Sequence, residues 1–423
     1  MEGDRSPQCG LTTPRSTSVS SDPGVCLRDP SSISSSSGRS GNHLWQRVVV
    51  VGGGIAGSLI AKSLQFNADV VLIDQYYFEI PWATMRSMVE PAVADKAIIN
   101  HTDYLINGKV ITASAVDITD TDVITSDGRH VAYDYVVLAT GHAASSPKCR
   151  KDRLEKFKEG MRITSLLCYF FYLLIWFGSI SANVKMRTSS SVLVVGGGPT
   201  GVELASDIAS VYPDKKVTLV HSGPRLLGFI GHKAGNKALD WLRSKNVDVL
   251  LEQSVDLDSI SEADGIYITS AGEAIAADCH YVCVNRPLGS SWLRESIVKD
   301  SMDKYGQLMV DEHLRVKARS NIFAIGDIID VPERKQGVLA QRHAMVVAKN
   351  LKLLLKGGNK EIKLSKYRPT VSITMVSLGK KDAVAQLPFT TMSGFLPGLI
   401  KSRELFLRKT RKLLGLEHHS VFL

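Results

Sequence analysis

The sequence predicts an α/β protein built from two similar units with a C-terminal α+β segment, and three observations carry that prediction. An all-apolar run, a glycine-rich turn, a helix-compatible stretch and a second apolar run follow one another from 48 to 73. The same grammar returns from 191 to 220, its turn beginning at Gly196 where the first began at Gly52. Short apolar runs without alternation are what strands covered on both faces require, and the wide separation of the copies indicates duplicated domains, not a short-period solenoid.

At 423 residues there is room for two or three domains of roughly 150 residues each. Lys and Arg number 51 against 42 Asp and Glu, a formal charge of +9 that favours anionic partners such as nucleotides or acidic membrane surfaces. Much of the excess sits near the C-terminus, so no nucleic-acid partner is expected. The six cysteines form no C-x-x-C pair and read as free thiols in a reducing compartment; on a strand, Cys279 and Cys283 would face the same side.

Taken in order, residues 1–44 are rich in Ser, Gly and Pro and too poor in apolar groups to offset their ordering entropy, so a disordered tail is expected. Its arginines would suit an organelle address, but Glu2, Asp4, Asp22 and Asp29 do not. A cytoplasmic location is expected, with a mitochondrial one as the alternative. The first turn is VGGGIAG at 51–57. Gly52 permits the tight turn, Gly54 lets the backbone approach a pyrophosphate, and Gly57 allows close helix–strand packing. The helix start beyond it offers free N–H groups and a positive dipole to phosphates. Asp74 closes the second run, placed to accept ribose hydroxyls. Two Rossmann-like dinucleotide-binding domains are thus the expected architecture.

The second turn, VGGGPTGVE at 195–203, is followed by a run ending in HSG at 221–223, with no acid where Asp74 stood. That omits repulsion against a 2′-phosphate, and Arg225 is near enough in sequence to attract one, so NADPH is permitted beside NADH. Two more apolar runs end in permissive or acidic turns, YVVLATG at 135–141 and NIFAIGD at 321–327.

The stretch 163–184 carries no charge and is long enough to span a membrane. A single crossing would put the first turn and Asp327 in different compartments although one site needs both. The readings that survive are a buried or membrane-dipping insertion and a translated sequence error such as a retained intron; the error is preferred.

With these motifs in this order the chain resembles the pyridine-nucleotide-disulfide-oxidoreductase-type flavoproteins. Within them it is similar to the apoptosis-inducing-factor homologues that include ferroptosis-suppressor-like proteins, particularly the plant branch. The specific matches are YFEIPWATMRSMVEP, NHTDYL, VTLVHS, DEHLRV, SLGKKDAVAQ and KSRELF. The resemblance implies FAD and NADH or NADPH as cofactors. Gly52, Gly53, Gly54, Ile55, Ala56, Gly57 and Asp74 would hold the ADP part of FAD. Arg86 would contact FAD, and the backbone near Ser114 the adenine. Thr140 and Gly141 would flank the flavin, while Gly326 and Asp327 would hold its ribityl and pyrophosphate region. Gly196, Gly198 and Gly201 would bind NAD(P)H. Glu203 and Lys335 would be the catalytic acid and lysine near the flavin–nicotinamide junction. The implied division is 45–160 and 278–350 for the FAD domain, 189–277 for the NAD(P)H domain, 161–188 for the apolar insertion and 351–423 for an interface or membrane-surface segment. One departure from the family is Cys283-Val284-Asn285-Arg286 in place of a Thr-Gly.

The activity so implied is FAD-dependent NAD(P)H oxidation with two electrons passed to a quinone-type acceptor. Alternatives are a low-turnover flavoprotein with a signalling role and a reductase of an electron-carrier protein. Near the C-terminus Leu399, Phe406 and Leu413, and Ile400, Leu407 and Leu414, recur every seven residues among Lys401, Arg403, Arg408, Lys409, Arg411 and Lys412. This reads as a basic amphipathic helix, either on a membrane surface or packed on its own core.

Overall fold

Apolar runs that lack alternation need cover on both faces, and both runs found in the sequence become central strands of parallel sheets. The computed structural model describes residues 45–75, 77–142, 186–256, 265–284, 287–357, 363–370 and 373–416. The tail at 1–44, the apolar stretch at 163–184, and Asn285 and Arg286 lie outside the described residues. Among those described, no helix is long and apolar enough to cross a membrane.

In the first sheet Arg47–Val51 lies between Asp69–Asp74 and Tyr135–Leu138, with Lys109–Thr112 and Ile322–Ala324 at the two edges. Val48, Val49 and Val50 are wholly buried. In the second sheet Ser191–Val195 lies between Lys216–His221 and Cys279–Val282, with Val247–Leu251 outermost. Numbered within each unit, both sheets run 3-2-1-4, the order in which two βαβ halves leave a ligand crevice at the carboxyl ends of the strands. The first sheet gains a fifth strand from beyond the second unit, so the second unit is an insertion in the first. The boundary expected at 278 moves accordingly: Cys279–Val282 completes the second sheet, because Cys279 and Tyr281 pack into that unit's core.

Helices Ile55–Leu64 and Gly337–Leu354 pack on each other beside the first sheet, and Pro199–Val211 covers the second. The C-terminal segment is α+β, as expected. Thr374–Leu378, Asp382–Gln386 and Thr391–Gly394 form an antiparallel sheet, followed by helices Phe395–Lys401 and Leu407–Leu413. The single amphipathic helix expected over 399–414 is thus two. Leu405 and Phe406 take left-handed backbone, φ 46° and 49°, and break it. Packing explains the break: Leu405 and Leu414 join the first unit's core, and Phe406 meets Trp82 edge-on at 6.0 Å. Leu399 and Ile400 stay exposed.

Candidate dinucleotide and redox site

The first glycine turn is shaped by close approach on two sides and open space on the third. Gly52 sits at φ +100°, and a Cβ there would lie 2.6 Å from the Ala139 carbonyl oxygen. A Cβ on Gly57 would lie 1.8 Å from the Gly52 oxygen. No atom comes within 4 Å of a Cβ on Gly54, so the turn opens there, ahead of the helix start at Ile55 and Ala56. Thr140, at the turn facing Gly52, has a buried hydroxyl oxygen with no hydrogen-bond partner. A bare backbone cradle beside an orphaned hydroxyl fits a bound pyrophosphate and its attached ring system. Gly141, at φ +56°, continues that turn.

Asp74 closes the second strand, and its carboxylate is held from behind. His101 Nε2 is 3.0 Å from Asp74 Oδ2, and His101 Nδ1 is 2.6 Å from the Tyr104 hydroxyl. Burial raises the Tyr104 pKa far above the phenol range, so its O–H donates to Nδ1 and leaves Nε2–H to donate to Asp74. Sequence reasoning missed His101; its signal was the NHTDYL motif. A Cβ on Gly53 would strike the His101 ring at 2.3 Å, which explains a glycine there. Ser114 exchanges backbone bonds with Ser126: its N–H donates to the Ser126 hydroxyl at 3.3 Å and its oxygen accepts the Ser126 N–H at 2.8 Å.

The second turn repeats the first glycine for glycine. Gly196 sits at φ +119°, and a Cβ on it would lie 2.4 Å from the Cys283 oxygen. On Gly201 it would lie 1.8 Å from the Gly196 oxygen, and on Gly198 it would meet nothing within 4 Å. Cys283 and Val284 therefore stand where Ala139 and Thr140 stand, and the first turn's hydroxyl has an apolar counterpart. Arg225, expected to attract a 2′-phosphate, donates to the carbonyls of Gly228 and Ile230, at 2.6 and 3.2 Å, and braces its own loop.

At the NIFAIGD turn, Gly326 adopts φ +80° and Asp327 Oδ2 lies 2.9 Å from His142 Nδ1. Behind it runs a buried relay. Gly326 N–H donates to His343 Nδ1 at 3.2 Å, so the ring proton is on Nε2, which donates to Glu333 Oε1 at 2.7 Å. The Tyr367 hydroxyl lies 2.9 and 2.8 Å from the two Glu333 oxygens. Burial pushes the His343 pKa down, against the pull of Glu333, and so keeps the acceptor lone pair available to Gly326.

The expected acid and lysine do not meet each other. Lys335 donates to the carbonyls of Ile329 and Val331, at 2.6 and 3.2 Å. Burial lowers its pKa, with Asp327 the largest charge opposing that shift. Glu203 instead pairs with Lys401, Nζ to Oε1 3.3 Å, and accepts the Ser377 N–H at 3.0 Å. Lys401 is buried, although the sequence placed it on a solvated basic face. One helical turn on from Glu203, Asp207 is also buried and takes Arg86 Nε and Nη2, at 2.9 and 2.8 Å. Arg86 further donates to the carbonyls of Ser402 and Gly379, at 3.2 and 2.8 Å. The guanidinium expected against FAD therefore ties Thr84–Val89 to Pro199–Val211 and to the C-terminal segment. Burial pushes the Asp207 pKa up to about 6 in spite of Arg86.

A family model described as pyridine nucleotide-disulphide oxidoreductase matches residues 46–346. The chain is 31% identical over 387 residues to apoptosis-inducing factor homolog A of Dictyostelium discoideum, covering 86% of this chain and 90% of that protein. It is 28% identical to human ferroptosis suppressor protein 1, over 86% of this chain and 95% of that one. In fold it is similar to the sulfide:quinone oxidoreductase of Aquifex aeolicus, with a TM-score of 0.65 at 19% identity over 87% and 92% of the two chains.

Proposed function

The chain belongs to the pyridine nucleotide-disulphide oxidoreductase family, and on that premise we propose that it is an NAD(P)H-oxidising flavoenzyme whose electrons leave to a quinone-type acceptor. FAD, when bound, supplies the acceptance of a hydride and the release of two electrons. Everything else falls to the chain. The open faces at Gly54 and Gly198 admit the two pyrophosphates, Asp74 takes the FAD ribose, and Thr140 offers its free hydroxyl at the flavin end. Gly326 and Asp327, braced by His343 and His142, hold the ribityl side. Glu203 and Lys401 form an ion pair at the start of the helix that follows the second turn, with Lys401 buried.

The observation that carries the reading is the pair of matching turns, each open at its third glycine. A quinone is favoured because the sequence has no C-x-x-C pair for a thiol relay, so electrons must leave directly to an acceptor. The family resemblance and the name of the Aquifex relative point the same way. The test is anaerobic addition of NADH to the purified flavoprotein, followed by a soluble quinone or, separately, a ferredoxin. Bleaching of the flavin band with recovery on quinone is expected. No bleaching refutes the oxidoreductase reading, and recovery with ferredoxin alone refutes the quinone.

We further propose peripheral contact of the C-terminal segment with an acidic membrane on the cytoplasmic side. Phe389, Phe395, Leu396 and Ile400 are exposed there, as are Arg403, Arg408, Lys409 and Lys412. Apolar insertion and attraction to anionic lipid would act together in this segment. Flotation with phosphatidylserine vesicles but not with phosphatidylcholine alone is expected, and Phe395→Ser with Leu396→Ser should abolish it.

A further inference from the structure

The internal repeat supplies a ruler for comparing the two clefts. In the first unit, a Cβ placed on the middle glycine, Gly53, would lie 2.9 Å from Cγ of Asp74. In the second, a Cβ on the equivalent Gly197 would lie 2.7 Å from Cγ of His221. Strand register agrees. Val51 pairs with Ile73 and Val195 with Val220, so Asp74 and His221 are each the next residue. The Gly52 N–H donates to the Ile73 oxygen at 2.9 Å, and the Gly196 N–H to the Val220 oxygen at 2.8 Å. The imidazole thus occupies the place from which a carboxylate would grip both ribose hydroxyls of an adenine nucleotide.

We infer that His221 is the residue that sets how the second cleft treats the 2′ position of the adenosine ribose, making the protein accept a 2′-phosphate as well as a 2′-hydroxyl. This rests on the reading of that cleft as the NAD(P)H site and goes beyond it by naming the selector. A carboxylate at this point would repel a 2′-phosphate; an imidazole does not, and the ring nitrogen not bonded to Arg225 can hydrogen-bond either group. The ring lies over the bare face of Gly223, where a Cβ would be 2.9 Å from Nε2, and it bonds to the backbone of Arg225. Arg225 has its guanidinium turned to Gly228 and Ile230, so the selection falls to His221.

The test compares His221→Asp with the parent protein, both loaded with FAD. The kcat/KM ratio for NADPH over NADH is expected to fall at least tenfold in the variant, through KM for NADPH. Binding of 2′,5′-ADP should weaken by a similar factor while 5′-AMP binding persists, which also shows that the cleft is folded. A ratio that falls less than tenfold overturns the assignment, as does equal 2′,5′-ADP binding by both proteins. If the parent binds neither adenylate, the cleft itself has been misread and the inference falls with it.

Discussion

Arg86 offers the sharpest test of how the segments around the site are held together. Arg86→Leu would leave Asp207 buried without a partner and would free the carbonyls of Gly379 and Ser402. The acid can escape by taking up a proton. Its pKa already stands at about 6, one unit below pH 7, so taking up the proton there costs about 1.4 kcal/mol. The two stranded carbonyls add about 1–3 kcal/mol each. The expected loss is about 3–7 kcal/mol, which spans the range for breaking a buried pair. Urea unfolding of the FAD-loaded protein at pH 7, followed by tryptophan fluorescence, measures it. Adding Asp207→Leu removes the stranded acid and should restore part of the loss, about 1 kcal/mol or more, because an apolar pair can replace a buried ion pair. Flavin content should return with stability if the guanidinium acts as a clamp. A single variant that loses under about 1 kcal/mol, or a double variant no more stable than the single, would refute the reasoning.

Other outcomes follow from the same geometry. Gly201→Val places a branched side chain where even a Cβ would lie 1.8 Å from backbone oxygen; it should abolish NAD(P)H binding in calorimetry while the flavin absorbance remains. Thr140→Val removes the unpartnered hydroxyl and should weaken FAD binding about five- to tenfold, read by ultrafiltration of released flavin. Glu203→Ala strands buried Lys401 and the Ser377 N–H, so residues 373–416 should be cut faster in limited proteolysis. Burial holds the His343 pKa below the usual imidazole value. As pH drops below about 6.5, the unfolded chain gains a proton that the native chain refuses, and stability should fall. His343→Gln should flatten that dependence in urea midpoints measured against pH.

The parts of the site legible in the sequence were those fixed locally. Glycines at set spacing, an acid closing the next strand and apolar runs of strand length all act within one βαβ unit, so Gly52, Gly57 and Asp74 could be placed by spacing alone. What escaped depends on distant segments. Lys401 looked like one more cation on an amphipathic face, and only the docking of the C-terminal segment on Pro199–Val211 brings it to Glu203. His343, Glu333 and Tyr367 come from a helix, a loop and the stretch beyond that helix. The sevenfold apolar repeat from Leu399 to Leu414 was real, but periodicity cannot show that burying Leu405 and packing Phe406 against Trp82 are worth a left-handed break.

The insertion of one unit inside the other also sets an order of assembly. On a growing chain, all four strands of the second sheet have been made once Val282 is complete, whereas the edge strand Ile322–Ala324 is still to come. The earlier-encoded unit is thus the later to close, waiting with the flank of Tyr135–Leu138 unpaired. Exposed flanks of this kind invite mispairing. Chains halted between those two points would be the ones that most need a chaperone's shelter.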